Sequence, residues 1–317
     1  STLTFASGIT STYDEYQLLL NYLENTDMDE PNVFEALNQW IDIDNHINYT
    51  SGQIFLDNRD WPGNNIKYWR EQKEEGKWRW ILYDTDFGFG IPFFGGVNNV
   101  SVNTLEFATE EFGPGWPNPP WSTFLFRKLL ENPQYKNRFI NLYCDRLNTI
   151  FKPEYVLSHL DSISSRISSI IPNQNQRWPE SAQDWDSQIN ILNNFGLNRQ
   201  SFARSHLRDY FGLSNLIPVS VENNNQGGKV KINSYLISEN YWTGYYFPEV
   251  RVSASAIPDI GYRFLGWQEY PDSLSQMRIS ITSGESLTAQ FEQIDLSDTV
   301  DIIINEIYYN SSDTFNP

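Results

Sequence analysis

The amino-acid sequence predicts an α+β chain, with a helix-rich lobe interrupted by a β-hairpin and followed by a small all-β domain. Three observations carry that expectation. Apolar residues recur at helical spacing through most of residues 12–208, and two runs rich in aromatic and branched residues flank Glu74-Glu75-Gly76. After Gly212 the alternation changes to a period of two. The expected division is residues 1–213 for the helical domain, 214–295 for the β-rich domain, and 296–317 for the first strand of a third.

In chain order, residues 13–24 set Tyr16, Leu19, Leu20 and Leu23 on one helical face. Pro31 opens a second helix bearing Val33, Phe34, Leu37, Trp40 and Ile41, since the first turn has no use for the N–H that proline lacks. Residues 51–90 differ in character, and within them 65–71 and 77–84 are expected to pair as strands. Residues 91–120 concentrate Pro and Gly and predict a long irregular loop, a feature that in compact domains usually serves function. Helices follow at 122–130, 133–150, 153–171 and 179–210, each introduced by Pro or by a capping Ser or Asn. In the β-rich domain, strands are expected at 229–233, 250–256, 261–264 and 287–291, and a last one at 302–309.

Composition excludes several classes. Lys plus Arg is 22 against 40 for Asp plus Glu, a net charge of −18, so nucleic acid and anionic lipid are repelled and no nucleic-acid partner is expected. No apolar run is long enough to span a membrane as a helix. Cys144 stands alone, which rules out an intrachain disulfide, and no CxxC or His cluster suggests zinc. The chain opens on Ser1 without a basic and apolar leader and stops just after a predicted strand, so both ends are expected to be cuts.

The chemistry concentrates in Asn58-Arg59-Asp60-Trp61-Pro62-Gly63-Asn64-Asn65 and Tyr83-Asp84-Thr85-Asp86-Phe87-Gly88. On a strand, Trp78, Trp80, Leu82, Asp84 and Asp86 share one face. Two carboxylates one residue apart, ending in a Gly-punctuated turn, suit a hard divalent cation such as Mg²⁺ or Mn²⁺. Trp80 is then either an ordinary core ring or a surface beneath a nucleobase whose phosphates the metal holds. Arg59-Asp60 with Asn65 five residues on has the spacing of the protein-kinase catalytic loop, and Asp86-Phe87-Gly88 matches the metal-binding triplet downstream of it.

These segments, with "IDIDNHINY" before them and "RWP" far downstream, resemble the CotH kinase family of spore-coat protein H type, over residues 32–208. The resemblance implies an atypical protein kinase, spore-associated or secreted, that transfers phosphate from ATP to protein Ser/Thr with Mg²⁺ or Mn²⁺. It implies Asp60 as the catalytic-loop carboxylate, Asn65 and Asp86 as metal ligands, Asp84 as a further metal carboxylate, and Trp80 as the adenine-stacking ring. Asn58 stands where ordinary kinases have His. No lysine-bearing strand precedes the first helix; Lys67, Lys73 and Lys77 lie in or beside the hairpin and are poor substitutes, so the chain is expected to begin inside the family's domain.

The β-rich domain is similar to bacterial surface repeats of internalin-B type, on "GKVKI", "WTGYYF", "GYRFLGW" and "LTAQF", and residues 304–310 resemble the first strand of a lamin-tail domain. Both resemblances imply an extracellular or cell-surface location. Trp242, Tyr245 and Tyr246 are either β-core rings or a glycan contact, and Arg199, Arg204 and Arg208 either a solvated stripe or a phosphate-facing one. The alternative to a kinase is a non-catalytic surface protein that keeps the fold for adhesion or assembly.

Overall fold

Helix α1 (Ser11–Asn25) buries Tyr16, Leu19 and Leu23, the stripe that its periodicity defines, and α2 (Val33–Trp40) buries Val33 and Leu37 in the same core. The computed structural model describes residues 11–73, 75–90, 100–113, 115, 117–179, 184–222 and 227–295. The expected strand at 302–309 and the residues likened to a lamin tail lie outside them.

Helix α3 (Ile43–Leu56) was not predicted. Its buried residues include His46, Thr50, Ser51, Gly52 and Gln53 as well as Ile43, Ile47, Ile54 and Phe55, so polar and small residues stand among the apolar ones on its buried side and blur the 3.6-residue period. Asp42 caps it, accepting from the Asn45 N–H at 3.1 Å. At its far end Asp57 takes the left-handed conformation, φ 53°.

The hairpin is shorter than expected. Strands β1 (Tyr68–Trp69) and β2 (Arg79–Trp80) pair antiparallel, and the Ile81 N–H extends the ladder by bonding to the Lys67 oxygen at 3.0 Å. Asn45 docks the hairpin on α3: its Oδ1 accepts from the Trp80 N–H at 2.6 Å and its Nδ2 donates to the Trp80 oxygen at 3.3 Å. Beyond Ile81 the strand does not continue. Trp78 and Trp80 are buried, Leu82 is 47% exposed, and Asp84 has φ 52°, which no strand accommodates. The common face proposed for Trp78 through Asp86 therefore ends at Trp80, and both carboxylates sit on the turn after the hairpin.

A short helix α4 (Thr104–Thr109), capped by Asn103, occupies part of the span expected to be irregular. Helices α5 (Pro120–Glu131), α6 (Pro133–Leu147) and α7 (Pro153–Ile167) each start on proline. A 3₁₀ turn (Ser168–Ile170) and α8 (Ile171–Arg177) end what the sequence suggested was one helix. Helix α9 (Trp185–Phe211) packs along α7 at Gly196, where a Cβ would meet Val156 at 3.1 Å, and it stops at Gly212, φ 63°.

The remaining residues form two four-stranded sheets. One has the order β6 (Tyr241–Tyr246), β3 (Ile217–Glu222), β10 (Glu285–Gln293), β8 (Tyr262–Trp267), with β10 parallel to β3. The other is β5 (Tyr235–Leu236), β4 (Gly228–Ile232), β7 (Val252–Pro258), β9 (Gln276–Ile279), antiparallel throughout. Val219, Val221 and Leu287 of the first and Val230, Ile232, Val252 and Ala254 of the second are buried, the alternation that the sequence displays. Trp242 and Tyr246 are core rings; Tyr245, 42% exposed, carries the Arg204 guanidinium 5.1 Å from its centroid.

Polar side chains on α6 hold these sheets to the helices. Asp145 is wholly buried and accepts from Ser234 N–H (2.8 Å), Ser234 Oγ (2.6 Å), Asn233 Nδ2 (3.2 Å) and Tyr246 OH (2.7 Å). One turn on, Asn148 donates to the Tyr245 oxygen and accepts from the Tyr245 N–H, each at 3.0 Å. A carboxylate without water needs such donors to remain tolerable, and burial still pushes its pKa up.

Candidate active site

Two loops meet at the C-terminal end of α3. The first leaves Asp57 and runs through Asn58 to Asn65; the second runs from Tyr83 to Gly90. Backbone bonds lace them together, with Arg59 N–H to Phe87 O at 3.1 Å and Phe89 N–H to Leu56 O at 2.7 Å. Gly88 sits at the closest approach, where a Cβ would lie 2.8 Å from the Leu56 oxygen.

Asn58 is the buried link between them. Its Nδ2 donates to Gln53 Oε1 (2.8 Å) and to the Asp84 oxygen (3.3 Å), while its Oδ1 accepts from the Asp60 N–H (3.2 Å). The residue noted as a departure from the kinase pattern thus sets both carboxylate-bearing loops. Asp60 Oδ2 in turn accepts from Asn65 Nδ2 at 2.7 Å and Asn64 Nδ2 at 2.9 Å. Its other oxygen, Oδ1, is buried without a hydrogen-bond partner. Asn65 adopts φ 52°, a conformation that asparagine tolerates better than most residues.

Asp84 and Asp86 are exposed side chains on the second loop. Lost hydration, then the hydrogen bond and charge of Asp86 and the charge of Asp60, push the Asp84 pKa up; Lys67 opposes them. Asp60, Asn65, Asp84 and Asp86 are therefore brought to one locality, with Asp84 sensing both other carboxylates. Among the described residues no group of three or more His, Cys, Asp or Glu side chains is arranged to hold a metal ion. The donor set nevertheless fits a hard cation: oxygen ligands, like charges in mutual repulsion, and one buried carboxylate oxygen lacking a donor.

Trp80 does not join this group. It is 5% exposed, its ring meets His46 edge-on at 4.5 Å and Tyr68 at 6.2 Å, and so it offers no free face for a nucleobase. The three lysines of the hairpin are separated by the structure. Lys73 pairs with Glu71, Lys77 donates to Asn38 Oδ1 at 3.4 Å, and Lys67 lies over the Tyr83 ring, 4.1 Å from its centroid.

Arg199 was assigned to an outer stripe; it is completely buried. Its guanidinium donates to the Ile54 (2.7 Å) and Phe55 (2.9 Å) oxygens at the end of α3, to the Val100 (2.8 Å) and Val102 (2.7 Å) oxygens, and to Thr104 Oγ1 (3.0 Å). Thr104 Oγ1 donates to Asp57 Oδ1 at 2.6 Å, and Arg59 lies 3.5 Å from the same oxygen. Burial pushes the Asp57 pKa up, against the pull of Arg199, Thr104 and Arg59. Two of these five donor bonds reach carbonyls at the end of α3, directly beneath the first loop, and the other three tie that end to Val100, Val102 and Thr104. Only its fixed place on α9, five residues before Arg204, was available from sequence. Arg204 donates to Asn148 Oδ1 (3.0 Å) and Arg208 pairs with Asp209 (2.9 Å), so neither faces the carboxylates.

The model of the CotH kinase protein family matches residues 4–203, more than half of the chain. No curated protein and no solved structure matches the chain.

Proposed function

Since the chain belongs to the CotH kinase protein family, an atypical kinase-like group, we propose that it transfers the terminal phosphoryl group of ATP to a protein Ser/Thr hydroxyl with the help of Mg²⁺ or Mn²⁺. The observation that carries this reading is the meeting of the Asp60–Asn65 pair with the loop that bears Asp84 and Asp86 at one end of α3.

Each side chain has a task there. Asp60 orients the attacking hydroxyl and accepts its proton; two amides on Oδ2 hold the carboxylate in one rotamer. The Asn65 Oδ1 and the carboxylates of Asp86 and Asp84 would hold the cation, Asn65 keeping that oxygen available because it donates to Asp60 through Nδ2. When bound, the cation supplies charge neutralisation on the phosphate oxygens. Asn58 keeps the two loops in register, which matters because phosphoryl transfer depends on positioning and electrostatics more than on covalent chemistry.

The β-rich domain supports an exported or cell-surface setting only through its likeness to surface repeats; its Trp242 and Tyr246 are buried, while Tyr241 and Tyr245 are exposed. Incubating the chain with γ-labelled ATP, Mg²⁺ and a mixed protein acceptor tests the assignment. Label transfer that Asp86→Ala reduces by orders of magnitude supports it; equal transfer by both proteins contradicts it.

A further inference from the structure

The first loop rests on α4 and on the segment that leads from it to α5. It touches them at three points. Asp57 Oδ1 accepts from Thr104 Oγ1 at 2.6 Å, the Arg59 guanidinium stands 5.0 Å from the centroid of the Phe107 ring, and Gly63 donates its N–H to the Pro117 oxygen. The approach at Gly63 leaves no room for a side chain: a Cβ there would overlap the Pro117 oxygen and lie 2.5 Å from Pro119 Cδ. In sequence Gly63 lies between Asp60 and the two amides, Asn64 and Asn65, that hold Asp60 Oδ2, so its place sets how those amides reach the carboxylate. Pro117, Pro119 and Pro120 have no N–H, and backbone bonds alone cannot shape the stretch beneath Gly63. Asn118 supplies the missing donor. It is fully buried, and its Nδ2 donates to the Phe107 oxygen and to Glu110 Oε2, each at 3.1 Å. Thr123 Oγ1 holds Glu110 in turn, donating to its main-chain oxygen at 2.9 Å.

We propose that Asn118 is a positioning residue for phosphoryl transfer: by tying the start of α5 back to the end of α4, it fixes the Pro117 carbonyl under Gly63 and so holds the turn that orients Asp60. The proposal rests on the phosphotransferase reading above. Asparagine suits the place because one amide nitrogen serves a carbonyl and a carboxylate together, which neither an ionised aspartate nor a leucine does. Its Oδ1 is buried without a partner, so a leucine at 118 sheds an orphan acceptor while it loses both donor bonds. The consequence of that change is therefore expected at the turn more than in the fold as a whole.

Two readouts test this in the full chain, in Asn118→Leu, in Gly63→Ala and in Leu19→Ala, a core control on α1. One is amide hydrogen exchange over residues 58–66, read by mass spectrometry; the other is transfer from γ-labelled ATP with Mg²⁺ to a mixed protein acceptor. Release of the bonds made by Asn118 predicts that exchange in this stretch quickens about tenfold or more in Asn118→Leu. A displaced Asp60 predicts a kcat lower by about tenfold to a hundredfold. The KM for ATP is expected to stay within about twofold, because the loop that bears Asp84 and Asp86 is held by Asn58 instead. Gly63→Ala disturbs the same contact from the other side and is expected to match these changes; it decides the question if Asn118→Leu does not fold. Leu19→Ala loses core packing and is expected to leave both readouts as they are. Wild-type exchange and kcat in Asn118→Leu overturn the proposal, and so does an equal change in Leu19→Ala or a loss confined to KM. Absence of transfer by the wild type overturns the phosphotransferase reading and this role with it, while exchange over 58–66 still shows whether Asn118 holds the turn.

Discussion

The buried amide of Asn58 donates to the main-chain oxygen of Asp84 at 3.3 Å, so a residue of the first loop holds the backbone on which the second loop's carboxylates are mounted. The same side chain fixes the amide of Asp60 through Oδ1 and is itself braced on Gln53 of α3. The geometry of the two loops therefore depends on one neutral amide with both ends in use. Replacing Asn58 by Leu, close in size and without polar atoms, is expected to destabilise the chain by about 2–4 kcal/mol, because Gln53 Oε1, Asp84 O and Asp60 N–H all lose a buried partner. Urea unfolding measures this, and Mn²⁺ affinity is expected to fall with it.

Arg199 makes a second, deeper dependence. Arg199→Met fills the space but leaves the α3 carbonyls and the buried Asp57 without their cation, at an expected cost of about 3–5 kcal/mol. Adding Asp57→Asn to that variant is expected to recover part of the loss, since it removes the charge left uncompensated. Denaturant midpoints of the two single variants and the double variant decide the point. Strict additivity would contradict the coupling.

What could be read in advance follows from where each signal lies. The stripe of Tyr16, Leu19 and Leu23 predicts α1 because one face is polar, and the alternation around Val252 and Ala254 predicts β7 for the corresponding reason. Helix α3 escaped because polar and small residues, His46, Thr50, Ser51, Gly52 and Gln53, share its buried side and blur the periodicity, although it carries the site. Asp60, Asn65, Asp84 and Asp86 were legible as a motif, and the structure brings them together by means that spacing alone does not reveal: a left-handed turn at Asp84 rather than a continued strand. Trp80 was misplaced by that same extrapolated strand. Asn58 and Arg199 act through contacts with residues far along the chain, Arg199 reaching back to Ile54, and such partners leave no local trace.

Asp84 provides a charge test. Its folded pKa is raised above the unfolded value, so ionising it costs stability as pH rises through the carboxylate range, and that cost persists at neutral pH. Asp84→Asn is accordingly expected to melt higher than wild type at pH 7 without added cations. It is also expected to lose most of the rise in melting temperature that Mg²⁺ gives the wild type, since an amide is a weaker ligand than a carboxylate. Thermal unfolding with and without Mg²⁺ checks both directions. A lower melting temperature in the cation-free variant would count against mutual repulsion in the group.

His46 gives the fold its own pH signature. Burial among Trp80, Phe126 and Tyr135 lowers its pKa to about 3, and its Nδ1 lies 2.7 Å from Tyr135 OH. Its folded pKa is depressed, so the unfolded chain binds the extra proton. Stability is whole above pH 6.5 and falls as pH drops toward 3, with a slope from this group of about 1.4 kcal/mol per pH unit. His46→Gln is expected to flatten the profile between pH 6 and about 4, where carboxylates contribute less, even if it lowers stability at pH 7. Unfolding free energies across that interval provide the comparison.

The most direct measurement is a crystal structure of the chain grown with Mn²⁺ and a non-hydrolysable ATP analogue, with anomalous scattering used to locate the metal. The account predicts a manganese peak bound by Asp86, Asp84 and Asn65, with the analogue's terminal phosphate between that peak and Asp60. A manganese ion and nucleotide found together elsewhere, with Asp60 and Asp86 contacting neither, would contradict it.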